Sequence, residues 1–398
     1  MRILMLHNRY LIPGGEDQSA AAETVLLRDA GHEVELLEQD NRAIEQIGKV
    51  RTAWRTLWSA ESHRAIARKL GEKAFDVLHV QNFFPLWSPS VYYAAQSCGV
   101  AVVQTLRNYR LLCVNATLFR DGKPCEDCVG RSVAWPGVRH ACYRRSRVGS
   151  AVVASMIGLH KARGTWKNKV DVYVALTEFA RGKYIQGGLP EEKIIVKPNF
   201  VYPSPPAGPG GGGYAIFVGR LSPEKGIAAL LEAWRAAANP LPLKIVGDGP
   251  LADVVKAAAT ASSKIELLGR KSPEETFALV QQAELLVFPS EWYEGMPRTV
   301  IEAFAAGTPV VASNLGAMAT MLEPGKTGFV FPAGDVPALA KRMEWCSQNL
   351  AQVRSLRPAA RAEFESKYTG AANLELLLEI YRRARQAHLP CKAVVAAG

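Results

Sequence analysis

The strongest constraint on the fold is an alternation that occurs twice. Short β-rich apolar runs are separated by longer stretches with helical spacing. Arg2–His7, Val34–Glu38, Asp76–Val80, Val100–Thr105, Asp171–Leu176 and Ile194–Val196 make up the first series. Tyr214–Val218, Leu243–Val246, Ile265–Leu268, Leu285–Phe288 and Val310–Ala312 make up the second. Such alternation predicts parallel sheets covered by helices on both faces. Between the series lies Pro203-Ser-Pro-Pro-Ala-Gly-Pro-Gly-Gly-Gly-Gly213, a composition that supports no regular element and reads as a linker or exposed loop. The 398 residues also exceed one ordinary domain. The expected class is therefore α/β, with two Rossmann-like, doubly wound domains facing each other across a cleft. The expected boundaries are 1–204, 205–370, and a helix and tail over 371–398 that packs back on the N-terminal domain.

Doubly wound sheets bind ligands beyond the C-terminal ends of their strands, so the chemistry is sought in the loops that follow strands. Three loops stand out. After the first strand come Gly14 and Gly15, which let backbone N–H groups approach an anion at a helix start; the competing reading is a plain turn. After the first strand of the second series comes Val218-Gly219-Arg220-Leu221-Ser222-Pro223-Glu224-Lys225-Gly226. Arg220 and Lys225 can both address one diphosphate, the first as a planar fork and the second as a point charge. Alternatively this is a solvated basic loop. After Leu285–Phe288 comes a loop with Glu294, then Pro297, Arg298, Thr299 and Glu302. Pro297 is placed to open a helix, whose first N–H groups at Arg298, Thr299 and Val300 would face a phosphate. The bland alternative is that acids in a first helical turn merely suit the helix dipole.

Arg220 with Lys225, followed by Glu294 and Glu302 spaced E-x7-E, resembles the family-4 retaining glycosyltransferases of the GT-B fold. Pro198-Asn199, Gly247-Asp248-Gly249-Pro250 and Gly307-Thr308-Pro309-Val310-Val311-Ala312 match the same family in the same order. The resemblance implies transfer of a sugar from a nucleotide-diphosphate donor to a hydroxyl of a glycan or lipid-linked acceptor. The implied setting is surface polysaccharide or lipopolysaccharide biosynthesis. It implies that Arg220 and Lys225 stabilise the departing diphosphate, that Glu302 binds ribose and that Glu294 orients the donor sugar. Gly14, Gly15, Gly219, Arg298 and Thr299 complete the implied donor site, and no metal is required for catalysis. The family commonly has a histidine in the loop after the fourth strand; Arg107 stands there, able to contact a sugar or phosphate but not to shuttle a proton. That departure keeps open a non-catalytic nucleotide-sugar binder, and a GT-B-fold nucleotide-sugar epimerase is a separate alternative.

Two features fall outside the resemblance's catalytic motifs. Cys113, Cys125, Cys128 and Cys142 lie in an insertion over about 107–147, with Cys125 and Cys128 forming C-x2-C. Four thiolates at that spacing could staple the segment around a structural zinc; the alternative is four reduced cysteines in an irregular loop. The formal net charge of +11 favours anionic partners. Arg51, Trp54, Arg55 and Trp58, continuing to Arg64, Arg68 and Lys69, and Arg144, Arg145 and Tyr143 further on, suit peripheral contact with an anionic membrane. No nucleic-acid-binding module motif is present, and no nucleic-acid partner is expected. The start of the chain lacks a signal-peptide pattern and no apolar run reaches 18 residues, so the expectation is a cytoplasmic chain, at most peripheral at the inner face of the cell membrane.

Overall fold

A computed structural model describes residues 1–11 and 14–388. Pro13 of the first glycine loop and the tail beyond His388 lie outside the described residues. The chain forms two compact units: Met1–Thr117 with Glu126–Pro198 and the chain from Asn373, and Leu118–Cys125 with Asn199–Ala372.

The first unit is built on β1 (Arg2–Arg9), β2 (Glu33–Asp40), β3 (Val77–Val80) and β4 (Ala101–Leu106). After a two-stranded ribbon, β5 (Phe119–Arg120) and β6 (Lys123–Pro124), come β7 (Val172–Ala175) and β8 (Ile194–Val196). The sheet order is β2-β1-β3-β4-β7-β8, parallel throughout. β3, β4 and β7 are buried along their whole length, as strands covered on both faces must be. The helix Gly15–Asp29 buries Ser19, Ala20, Glu23, Thr24, Leu26 and Leu27, a stripe of helical spacing that carries one carboxylate. The long helix Gly370–His388 contributes Leu377, Ile380, Tyr381 and Ala384 to this unit's core, beside Ile3, Met5, Val77, Val103 and Val172.

The second unit contains β9 (Ala215–Val218), β10 (Leu243–Val246), β11 (Ile265–Gly269), β12 (Leu285–Phe288), β13 (Val310–Ser313) and β14 (Gly328–Phe331). Their order is β11-β10-β9-β12-β13-β14, again parallel. Phe217, Leu230, Trp234, Leu243, Ile245, Leu285 and Val287 anchor its core. β14 had no counterpart in the sequence reading; it is a four-residue edge strand opening on glycine, too short to show a period.

The glycine-rich segment is not a free linker. Gly208 N–H donates to the Ala306 carbonyl, Gly210 N–H to Gln281 and Gly212 N–H to Gln282, each within 3.0 Å. Arg357 adds a bond to the Gly208 carbonyl at 3.0 Å. These bonds lay the segment on the second unit, so the division falls at Pro198/Asn199, ahead of the expected residue 205.

Candidate functional site

Strand order reverses between β9 and β12 in the second unit, and the loops leaving those two strands flank the opening that the reversal creates. The Gly219–Gly226 loop is fixed first by backbone bonds: Gly219 N–H to Val246 O and Leu221 N–H to Asp248 O, both 3.0 Å. Pro223–Lys225 then forms one 3-10 turn that ends at Gly226. Gly226 is left-handed (φ 70°), and a Cβ there would stand 1.9 Å from the Pro289 carbonyl oxygen. Only glycine permits that approach, and it brings the loop after β9 against the loop after β12. The Glu224 carbonyl accepts from Glu291 N–H at 2.9 Å and from Ser290 Oγ at 3.3 Å, which locks the two loops together.

The result is a preformed charge pair. Lys225 Nζ donates to Glu294 Oε1 at 2.6 Å, and Ser290 Oγ donates to the same oxygen at 2.5 Å. Lys225 Nζ also sits 5.6 Å from the Phe288 ring centre and 5.4 Å from that of Trp292, within cation–π range. Glu294 is buried, while Lys225 keeps 20% side-chain exposure and so reaches the surface of the opening. Among the described residues, the Trp292 indole nitrogen is buried without a hydrogen-bond partner. Asn199 pins the loop from behind, its Nδ2 donating to the Met296 carbonyl at 3.0 Å.

The helix Arg298–Ala306 begins just after this loop. Pro297 is its N-cap rather than its first residue, and no side chain caps the end. Val300 N–H donates back to the Pro297 carbonyl at 3.2 Å, which removes it from the expected set of outward-facing donors. Glu302 pairs with Arg298 one turn back, at 3.3 Å, and both are partly exposed. Arg220 stands exposed on the β9 loop. Thus Lys225 and Glu294 meet directly, Glu302 meets Arg298, and Arg220 keeps an open guanidinium. Ser290 and Trp292 were missed from sequence, since a serine and a tryptophan in a loop carry no spacing signal.

The first unit treats its charges differently. Asp17 Oδ2 accepts the Gly14 N–H at 2.9 Å, and Asp17 Oδ1 lies 2.8 Å from His7 Nε2. Burial would raise the Asp17 carboxyl, but the bonds from His7 and Gly14 hold it below the ordinary carboxylate range. The Gly14 donor expected to meet a phosphate is thus already taken by the protein's own carboxylate. Arg107, expected at a sugar, is buried: its Nε and a terminal nitrogen donate to Gln81 Oε1 at 2.9 and 2.6 Å, and it lies 4.0 Å from Glu23. Lys197 Nζ reaches Glu23 Oε2 at 3.0 Å and Asn373 Oδ1 at 3.1 Å. His79 bridges the Tyr381 hydroxyl and Thr105 Oγ1, each at 2.8 Å. Burial alone would raise the Glu23 carboxyl; Lys197, then His79 and Arg107, outweigh it and hold it at about 2. Burial pushes His79 down to about 4, so the ring is neutral near pH 7. The sequence does carry a sign of this network: Glu23 lies on the buried stripe of its helix, where a lone carboxylate needs a partner.

The zinc expectation gains no support. Among the described residues no three His, Cys, Asp or Glu side chains are gathered as a metal ion requires. Turns run through the segment, with Cys113 N–H on Tyr109 O at 2.8 Å and Cys142 N–H on Gly137 O at 2.9 Å, and Cys128 Sγ faces the Ala134 carbonyl at 3.9 Å.

Against this geometry, the family model for glycosyl transferases group 1 matches residues 212–349, the stretch that holds Arg220, Lys225, Glu294 and Glu302. That stretch carries the pattern of glycosyl transferases group 1. It is 28% identical over 226 residues to a phosphatidyl-myo-inositol mannosyltransferase of Mycobacterium leprae, covering 54% of this chain and 60% of that one. It is 30% identical over 179 residues to the amylovoran biosynthesis glycosyltransferase AmsK of Erwinia amylovora, covering 42% of this chain and 44% of the relative. These matches span less than two thirds of either relative's length. Among solved structures, Anabaena HepE in complex with UDP superposes with a TM-score of 0.67 at 16% identity, over 96% of this chain and 100% of that one. The chain therefore has the GT-B fold, with two Rossmann-like sheets. No described helix is long and apolar enough to cross a membrane.

Proposed function

We propose that this chain is a retaining glycosyltransferase. It moves a sugar from a nucleotide-diphosphate donor to a hydroxyl of a glycan or lipid-linked acceptor, in the assembly of a surface polysaccharide or glycolipid. The match of residues 212–349 to the group 1 model supports the reaction class. The named activities of the mannosyltransferase and the amylovoran enzyme, and the UDP bound by HepE, support the donor and the setting. The observation that carries the reading is the Lys225–Glu294 contact at the point where the second sheet reverses its order.

The difficult step breaks the bond between the anomeric carbon and a diphosphate oxygen. The bonding electrons leave on that oxygen, and the sugar becomes oxocarbenium-like. Lys225 is held by Glu294 and the two aromatic rings, so its positive charge is in place before the reaction and no reorganisation is needed as negative charge develops. Arg220 adds a second cation on the same loop, and the uncapped end of the helix Arg298–Ala306 adds a partial positive charge. Glu294 orients the donor sugar, and Glu302 accepts from the ribose hydroxyls. The acceptor oxygen forms the new bond on the face the leaving group vacates, and its proton passes to the departing phosphate. No histidine is needed for that transfer, which accommodates Arg107 in the buried network.

The test is nucleoside diphosphate release from uridine, guanosine and adenosine diphosphate sugars, with and without acceptor, for the native chain and Lys225→Ala. Acceptor-dependent release that collapses in the variant is expected. Binding without release, or isomerisation without acceptor, would replace the proposal with a sugar-nucleotide binder or an epimerase.

A further inference from the structure

The helix Lys49–Leu57 has its apolar ridge on the wrong side for a globular helix. Val50, Trp54 and Trp58 recur every four residues and are 75%, 69% and 39% exposed, and Thr56 is the helix's one buried residue. The helix is nonetheless firmly seated. His160 Nε2 donates to the Leu57 carbonyl at 2.9 Å, and Ser59 Oγ accepts from Ser62 N–H at 3.1 Å, so the chain turns sharply into the next helix, Ala60–Glu72. The Trp58 ring is fixed edge-on against Tyr93, with ring centres 5.2 Å apart. A cavity of about 340 Å³ opens at this corner, lined by Arg51, Trp54, Arg55, Trp58, Glu61 and Arg64.

The charges of the cavity do not cancel. Glu61 lies 3.3 Å from Arg55 and 3.7 Å from Arg51, one carboxylate for three guanidiniums. Arg55 retains 12% side-chain exposure, and among the described residues its Nε is buried with no hydrogen-bond partner. Such a donor is costly to leave unfilled, and it adds to the excess of positive charge at this corner. Guanidiniums favour phosphate oxygens, and the exposed tryptophan and valine beside them favour a medium that is apolar a few ångströms away. A bilayer surface of anionic phospholipid supplies both at once.

We propose that this corner of the first unit docks on an anionic phospholipid bilayer. The arginines hold lipid phosphates in and around the cavity, and Val50 and Trp54 enter the headgroup layer. The inference does not depend on the transfer reaction.

Co-sedimentation of the full chain with vesicles tests it. Binding to vesicles with about 30 mol % phosphatidylglycerol in phosphatidylcholine is expected to exceed binding to pure phosphatidylcholine by about tenfold or more, and to weaken as salt is raised. The double variant Arg51→Glu/Arg64→Glu and the single variant Trp54→Ala change exposed positions and should melt as the native chain does. Each should lose most of the vesicle binding. Quenching of tryptophan emission by brominated lipid, reduced in Trp54→Phe, reads the same contact without altering charge. Equal binding to both vesicle types, or full binding by these variants, would overturn the proposal. So would a fluorescence response to inorganic pyrophosphate with none to vesicles, which would make the cavity a soluble-anion site.

Discussion

The two sheets share one plan and handle charge in opposite ways. In the first unit, the helix after β1 carries its own anion: Asp17 takes the Gly14 N–H, and the cations Lys197 and Arg107 are sunk against Glu23 in the core. In the second unit, the helix Arg298–Ala306 has no acid in its first turn, and Lys225 keeps 20% side-chain exposure. A helix start whose first turn carries its own carboxylates, as Glu16 and Asp17 do, offers less to an outside anion than one whose first turn carries none. The same topology thus gives one unit rigidity and the other a candidate binding site.

The sharpest way to break that contrast is to remove Glu23. Glu23→Ala leaves Lys197 and Arg107 buried without their counter-charge and is expected to cost about 3–5 kcal/mol, read by urea denaturation. Acid should reproduce part of the effect. Glu23 sits at about 2 in the fold against an ordinary 4.5, so its contribution is whole above 4.5 and drains as pH falls toward 2. His79, at about 4 against an ordinary 6.5, is neutral in the fold. The unfolded chain protonates it first, so stability also falls between 6.5 and 4 as pH drops. Denaturation curves at several pH values between 7 and 3 should therefore show a steady loss; flat stability over that range would deny the network its role.

Next comes Lys225→Ala, expected to lower turnover about 10²–10³-fold. An unchanged kcat would erase the difference between the two units. Gly226→Ala follows: its Cβ would collide with the Pro289 carbonyl, and its positive φ is strained for alanine, together costing about 2 kcal/mol or more in a thermal melt. Glu302→Ala should raise KM for the donor about tenfold, the loss of a charged hydrogen bond. It should leave the melting temperature nearly unchanged, because the exposed pair with Arg298 contributes little. The smallest effect is expected from Gly15→Ala, whose Cβ would meet nothing within 4 Å. Native melting with lost donor binding in that variant would mean a ligand's close approach, and would make the first unit's glycine loop a binding element after all.

Most of the fold was legible because burial writes it locally. Strands covered on both faces, such as Val172–Ala175 and Leu285–Phe288, must be continuous apolar runs, and helix stripes repeat every three or four residues. The loop motifs named Lys225, Glu294 and Glu302, because spacing along a strand–loop–helix unit survives in sequence. Contacts between distant segments do not. Nothing in the order of residues joins Glu23 to Lys197, or Arg107 to Gln81. The reading of Arg107 as a sugar contact failed to foresee that a core carboxylate and amide would claim it. The linker fared likewise: its composition excludes regular structure, yet only packing decides whether such a segment hangs free or, as here, bonds to Gln281, Gln282 and Ala306.

By itself, then, the sequence determined two doubly wound sheets and the loops at their strand ends, since periodicity and glycine placement are local properties of a chain. Tertiary structure decided which charges are spent inside and which remain for a ligand. A charged side chain acquires its role from the partners that folding brings within a few ångströms, and those partners can lie 174 residues away, as Lys197 does from Glu23.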